Sequence, residues 1–142
     1  MRYWDTSAIV GLLVDEGASA AVRAAHARDI EMTTWWGTQV ECVSAAARLE
    51  REGLLPPQLA SEVYLHLGKL AAGWVEVRPS ERLRATAERL LRVHPLRAGD
   101  ALQLAAGIVA AEDHPASMPF VTADARLALA AQREGFEVIQ PS

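Results

Sequence analysis

The sequence predicts an α/β sandwich in which a central, mostly parallel sheet of four to five short strands lies between layers of helices. Short apolar runs alternate with longer helical patterns along the whole chain, and turn residues separate them. We find no internal repeat, low-complexity tract or linker. At 142 residues the chain is long enough for a sizeable core, so we expect residues 1–142 to form a single domain.

The first half of the chain supplies two predicted strands, over residues 1–5 and 30–34. Thr6 and Ser7 are good residues with which to begin a helix, and Gly53 with Pro56 and Pro57 separates two long helical patterns. These two patterns should pair as a helical hairpin. The helices predicted in this half cover residues 8–14, 18–28, 38–52 and 58–72.

The second half of the chain again alternates predicted strands with predicted helices. Ser80 is a suitable N-cap, and the Glu81–Arg84 and Glu88–Arg92 spacings place opposite charges on one helix face. Predicted strands cover residues 74–77, 118–122 and 136–139. Predicted helices cover residues 81–93, 98 to about 112, and 125–134.

Four carboxylates stand where this architecture gives acids little structural use. Asp5 and Asp124 directly follow predicted strands, while Glu41 and Asp100 fall in the first turns of predicted helices. Open parallel sheets bind ligands beyond the carboxyl ends of their strands, so all four can meet in one cleft. For Asp100, helix capping is the alternative role, and it is worth roughly 0.3–2 kcal/mol.

The chemistry of these four acids favours a shared cation. None has Lys or Arg three or four positions later, whereas Glu81 does. Carboxylates brought together raise one another's pKa and destabilise the fold unless a cation neutralises them. Oxygen ligands suit Mg²⁺ or Mn²⁺, which also bind waters and substrate phosphate. The pattern therefore indicates metal-assisted hydrolysis of a phosphodiester.

The order and spacing of the motifs resemble PIN-domain nucleases, and most closely the VapC-type toxins of bacterial toxin–antitoxin pairs. The residues that carry this resemblance are Asp5-Thr6-Ser7-Ala8, Glu41, the segment 96–105 around Asp100, and Val121-Thr122-Ala123-Asp124. The resemblance spans nearly the whole chain. It implies a PIN-like three-layer sandwich, an Mg²⁺ or Mn²⁺ cofactor, cleavage of RNA, a homodimer and inhibition by a cognate antitoxin.

The resemblance also implies roles for individual residues. Asp5, Glu41, Asp100 and Asp124 would hold the metal directly or through water. Thr6, Ser7 and Thr122 would orient a carboxylate or a water. Arg97 would either bind phosphate or pair with a carboxylate, and we favour the pairing. The chain departs from the family at Gln103, where many relatives have histidine, and at Trp35-Trp36.

Composition and charge limit how the protein could bind RNA and where in the cell we expect it. The net charge of −4 provides no global attraction for nucleic acid, so RNA binding must depend on local arginines or bridging metal ions. A single cysteine, Cys42, excludes an internal disulfide. No apolar run reaches the ~18–20 residues of a membrane span, and no signal peptide is evident. We therefore expect a cytoplasmic protein without a membrane partner.

Three other classes of protein were compared with the motifs. A response-regulator receiver needs an acidic pair after the first strand and a Lys after the last, and a haloacid-dehalogenase phosphatase needs Asp-x-Asp after the first strand. The chain has neither pattern. A non-catalytic PIN-like module that binds RNA or protein stays open as the alternative function.

For some side chains outside the motifs, the sequence also predicts whether they are exposed. Among the tryptophans, Trp36 is the best candidate for exposure, and the hairpin has enough apolar residues to offer a groove around Tyr64 and Leu67 to a partner helix. The histidines share no motif and should lie at the surface or in loops. They are His26, His66, His94 and His114.

Overall fold

Five parallel strands form the sheet. The structure, a computed structural model, describes residues 1–14 and 31–140. The strands are β1 (Arg2–Trp4), β2 (Met32–Trp35), β3 (Val75–Val77), β4 (Phe120–Val121) and β5 (Val138–Ile139). Their order is β3-β2-β1-β4-β5, and all four pairings are parallel. The predicted sandwich is confirmed, and its sheet is wholly rather than mostly parallel in the described ranges.

The direction of the chain across the sheet reverses at β1. Tyr3 is paired with Thr33 of β2 on one side and with Phe120 of β4 on the other. The chain runs outward through β2 and β3, returns across β1, and continues outward through β4 and β5. Such a reversal leaves a crevice outside the carboxyl end of the central strands. Asp5, the residue after β1, lies at this crevice.

Six α-helices cover the sheet in the described part of the chain. They are α1 (Thr6–Val14), α2 (Thr38–Arg51), α3 (Pro57–Gly73), α4 (Glu81–Val93), α5 (Ala98–Ala110) and α6 (Ala125–Arg133). A 3₁₀ turn covers Pro115–Ser117. Each of the six α-helices matches a predicted helix within a few residues, and the helix predicted over residues 18–28 lies outside the described residues. No described helix has the length and apolar character needed to cross a membrane.

Among the boundaries that differ from the predictions, three have a local reason in the backbone. Helix α5 ends at Ala110 because Glu112 and Asp113 adopt positive φ angles of 52° and 61°. Strand β4 begins late because the N–H of Met118 bonds to the carbonyl oxygen of Pro115 and closes the 3₁₀ turn. Strand β5 begins late because the N–H of Phe136 bonds to the carbonyl oxygen of Ala131 and closes the end of α6.

Alternating side chains of the strands fill two cores. Tyr3 and Phe120 stack with ring centroids 4.9 Å apart on the face covered by α4, α5 and α6. Trp4 and Val121 point to the opposite face, where they meet α1, α2 and α3. Because successive strand residues face opposite ways, both layers are anchored by the same short strands. Trp36 is 52% exposed, as predicted, whereas the other tryptophans are buried.

Helix α5 lies close against the sheet because its residues are small. A Cβ atom at Gly107 would come within 3.0 Å of the Phe120 ring and 3.4 Å of the Phe136 ring. Seven residues of α5 are buried, most of them alanine, glycine or leucine. The close packing brings the first turn of α5, with Asp100, to the edge of the sheet where β1 ends.

Burial differs from the sequence-based expectation at two positions, although His94 lies in the loop after α4 and so in one of its two predicted settings. His94 is only 6% exposed, and its Nε2 lies 2.7 Å from Oε2 of Glu134, which joins the end of α4 to the end of α6. Leu67 belongs to the core and is 2% exposed, so it cannot line an open groove. His66 and His114 are exposed as predicted, and His26 lies outside the described residues.

Candidate active site

Four helices begin near the carboxyl edge of the sheet, and each carries an acid at its start. Asp5 precedes α1, Glu41 and Asp100 lie in the first turns of α2 and α5, and Asp124 is the N-cap of α6. The peptide dipoles make a helix N-terminus partly positive, which favours carboxylates there. Stabilisation of the helix ends therefore explains part of the positioning of these acids. The shared cation that the sequence predicted is a separate reason for it.

Asp5 is the most deeply buried of the four, with 4% of its surface exposed. Its Oδ1 accepts hydrogen bonds from the Ser7 hydroxyl at 2.8 Å and from the Ala8 N–H at 3.3 Å. Burial raises the pKa of Asp5 to about 7, although these hydrogen bonds lower it. Near neutral pH the side chain is therefore close to its own pKa.

Ser7 and Thr122 join the two strand ends that carry Asp5 and Asp124. The two hydroxyl oxygens are 3.3 Å apart, and Ser7 Oγ accepts the N–H of Ala123 at 2.8 Å. Thr122 Oγ1 accepts the N–H of Asp124 at 3.0 Å. Both hydroxyls therefore lie beside carboxylates, as a role in orienting them requires.

The buried side chain of Gln103 donates a hydrogen bond to Glu41. The Nε2 group of this buried side chain, 2% exposed, lies 2.9 Å from Glu41 Oε1, 2.9 Å from Thr6 Oγ1 and 3.1 Å from Thr38 Oγ1. Its Oε1 accepts the hydroxyl hydrogen of Tyr3 at 2.5 Å. The amide has two N–H donors for three acceptors, so this network constrains every group in it. Burial raises the pKa of Glu41, the Gln103 hydrogen bond lowers it, and the charge of Asp100 raises it.

Sequence reasoning missed Gln103, Tyr3 and Thr38 as parts of the site. The available signal was a glutamine on the buried face of an otherwise apolar helix, three residues after Asp100. A buried amide needs hydrogen-bond partners, so its position implied a polar network. The identity of those partners depends on how β1, α1 and α2 pack around α5.

Asp100 and Asp124 face a cleft of about 540 Å³ that Arg97 and Arg126 also line. Asp124 Oδ1 accepts the backbone N–H groups of Arg126 at 2.9 Å and Leu127 at 3.1 Å. Burial and the charge of Asp124 raise the pKa of Asp100, while the backbone N–H and the charge of Arg97 lower it. The predicted pairing of Arg97 with a carboxylate is not observed, since neither arginine forms an ion pair within the described ranges.

Three of the four acids influence one another electrostatically along one edge. Glu41 and Asp100 form one interacting pair, and Asp100 and Asp124 form another. Burial raises the pKa of the Cys42 thiol to about 12, and the charges of Glu41 and Asp5 contribute to this shift. The structure therefore brings the four predicted residues to the same region.

The donor chemistry of this region fits Mg²⁺ or Mn²⁺. Its acids offer only oxygen ligands, which these cations prefer. Within residues 1–14 and 31–140, no group of three or more His, Cys, Asp or Glu side chains is close enough to form a preformed cage. Mg²⁺ is commonly held by one or two carboxylates together with waters and substrate phosphates. Such a loosely built, water-rich site suits the observed arrangement.

Solved structures share the fold along nearly the whole chain. The crystal structure of PAE2754 from Pyrobaculum aerophilum matches with a TM-score of 0.66 and 18% identity over 99% of this chain and 89% of that chain. FitAcB from Neisseria gonorrhoeae matches with a TM-score of 0.63 and 19% identity over 98% and 96%. FitAB bound to the IR36 DNA fragment matches with a TM-score of 0.64 and 19% identity over 99% and 95%.

These matches define the class of fold. At such identities they show the fold alone, and no family model or curated protein matches the sequence. The chain has a PIN-like fold, as its four motifs predicted, with an acidic edge at the reversal point of the sheet.

Replacing Gln103 by Leu should destabilise the protein by about 1–3 kcal/mol, because the Tyr3 hydroxyl and Thr38 lose a buried partner. Adding Tyr3→Phe should recover part of the loss, since the unsatisfied hydroxyl is then gone. Urea denaturation measures both effects. Gln132→Leu, an exposed glutamine on α6, is the matched control, and an equal effect at both positions would contradict the buried network.

The pKa of Asp5 predicts how stability changes with pH in EDTA. The folded protein holds the Asp5 proton up to about pH 7, whereas the unfolded chain releases it near 3.8. The free energy of unfolding should therefore fall as pH rises from about 4 to about 7, by on the order of 4 kcal/mol from this group. Denaturant titrations at several pH values should show a shallower fall for Asp5→Asn than for Asp113→Asn. Identical pH profiles would contradict the assignment.

Proposed function

We propose that this chain is a metal-dependent endoribonuclease of the VapC-like toxin kind, which hydrolyses phosphodiester bonds of RNA. The observation that carries the proposal is the gathering of Asp5, Glu41, Asp100 and Asp124 beyond the central strands of a PIN-like sheet. Helix ends favour the individual carboxylates, but the repulsion by which Asp100 raises the pKa of Glu41, and Asp124 that of Asp100, costs stability. A cation that neutralises them accounts for the arrangement.

In this proposal the four carboxylates hold Mg²⁺ or Mn²⁺, directly or through water. The bound ion supplies an activated water nucleophile and neutralises charge on the phosphoryl oxygens. Ser7 fixes the orientation of the Asp5 carboxylate, and Gln103 fixes that of Glu41. Because the pKa of Asp5 is about 7, an ion must displace its proton near neutral pH, so metal affinity should rise with pH.

We further propose a homodimer and a cognate antitoxin as partner. The resemblance of the motifs to VapC-type toxins supports both. The fold likeness to FitAB, which was solved bound to a DNA fragment, supports a search for the antitoxin among DNA-binding proteins encoded beside this chain. A cleft of about 300 Å³ between α1 and α3, lined by Leu12, Leu13, His66, Lys69 and Leu70, is a suitable place for an amphipathic helix.

The alternative is a non-catalytic PIN-like module that binds RNA or protein. The helix-capping bonds of Asp5 and Asp124 favour it, because those acids would then have structural roles. The two functions differ in their need for a cation, and this difference is measurable.

Purified protein should cleave RNA in the presence of Mg²⁺ or Mn²⁺ and stop when EDTA is added. Asp5→Asn and Glu41→Gln should each reduce the rate about 100-fold or more, since each removes a charge beside the reacting phosphate. Gel analysis of labelled RNA fragments measures the rates. Glu81→Gln, which removes an exposed acid paired with Arg84, is the control and should cleave normally. Cleavage that persists in EDTA would overturn the metal mechanism.

Asp100→Asn should raise the melting temperature of the metal-free protein, because it relieves repulsion from Asp124 while keeping an acceptor for the Arg97 N–H. Metal at about 100 times its dissociation constant should stabilise wild type by about 2.7 kcal/mol. This equals several degrees, at roughly 2–4 °C per kcal/mol for somewhat larger chains. Thermal melts with EDTA and with Mn²⁺ should show a smaller Mn²⁺ shift for Asp100→Asn than for Asp113→Asn. Equal Mn²⁺ shifts and a lower metal-free melting point would leave Asp100 as a helix cap.

A further inference from the structure

Two arginines in the acidic cleft have no part in holding a cation. Arg97 and Arg126 line the cleft of about 540 Å³ together with Asp100 and Asp124. Both arginine side chains are exposed. The cleft thus combines two acids, which attract a cation, with two guanidinium groups, which attract an anion.

The position of these arginines is electrostatically unfavourable for the helices that carry them. Arg97 is the N-cap of α5, and Arg126 lies in the first turn of α6. A cation at the N-terminus of a helix opposes the helix dipole, whereas one in the last turn is stabilised by it. Arg92 and Arg133 show the favourable placement, in the last turns of α4 and α6. Helix stability therefore does not explain Arg97 and Arg126.

Neither arginine is neutralised by an ion pair. The ion pairs of the described residues join Arg82 to Asp113, Arg84 to Glu81, and both Arg89 and His94 to Glu134. Arg97 and Arg126 stay outside all of them, although Asp100 and Asp124 line the same cleft. Both guanidinium groups thus keep their donors available to a molecule that enters it.

We infer that Arg97 and Arg126 together bind a backbone phosphate of the RNA strand that enters this cleft. This inference rests on the proposed function and adds the means by which an acidic protein holds its substrate. A guanidinium can donate two parallel hydrogen bonds to a phosphate, which fixes both position and orientation. In a chain of net charge −4, these two groups provide the local attraction that the overall charge lacks.

Binding without cleavage tests this inference. Fluorescence anisotropy with a labelled, mixed-sequence single-stranded RNA in EDTA measures the dissociation constant. Arg97→Gln and Arg126→Gln should each weaken binding about tenfold, the effect of losing a charge-assisted hydrogen bond. Arg133→Gln is the matched control, since it removes the same charge from the other end of α6. It should change binding less than twofold.

The salt dependence of binding separates phosphate contact from a general change in charge. Each lost phosphate contact should reduce the slope of log affinity against log salt by about 0.7 for a single strand. Arg126→Lys keeps the charge and loses the forked geometry, so it should keep the slope and recover only part of the affinity. Circular dichroism confirms that each variant is folded. Wild type that fails to bind RNA, or equal binding by the Arg97, Arg126 and Arg133 variants, overturns the inference.

Cleavage assays distinguish this inference from the proposed function. If no variant or wild type cleaves RNA with Mn²⁺, yet the Arg97 and Arg126 variants lose binding, the ribonuclease proposal fails and the phosphate site stands. If wild type cleaves and these variants keep both their affinity and their KM, the phosphate site fails and the ribonuclease proposal stands. If both hold, the substitutions should raise KM more than they lower kcat.

Discussion

Strand β1 pairs in parallel with β2 and β4 at once, and the placement of the four acids depends on this double pairing. Because both neighbours run the same way, the loops that follow all three strands leave the sheet at one edge. The loop after β1 carries Asp5, the loop after β4 carries Asp124, and the turn after β2 leads into the helix of Glu41. Asp100 joins them because the small residues of α5 let that helix lie close against the sheet.

Bringing these acids together costs stability, and the surrounding structure offsets part of the cost. Each acid lies at a positive helix end, Asp5 accepts bonds from Ser7 and Ala8, and Glu41 accepts one from Gln103. Burial nevertheless keeps the pKa of Asp5 near 7. A region optimised for stability alone would place alanine or asparagine at these positions, so the retained strain is typical of a functional site.

The buried hydrogen-bond network around Gln103 gives the acids a rigid support. Gln103 connects β1, α1 and α2 to α5 through Tyr3, Thr6, Thr38 and Glu41. A fully buried amide of this kind has few alternative arrangements, because each would leave a polar group without a partner. The side chains that support the acids are therefore held in fixed positions.

The alternation of apolar runs and helical patterns determined the α/β class, and the four motif acids determined which edge of the sheet to examine. Helix and strand placement followed from local periodicity, so these predictions needed no knowledge of packing. Packing alone decided that Gln103 meets Glu41, that His94 is buried against Glu134, and that the Arg97 guanidinium forms no ion pair with Asp100. These contacts join residues far apart in the chain, or depend on the direction in which a side chain points, and local sequence carries neither kind of information. The sequence thus specified the elements and their acids, whereas the positions of those acids relative to one another arise only when the helices pack on the sheet.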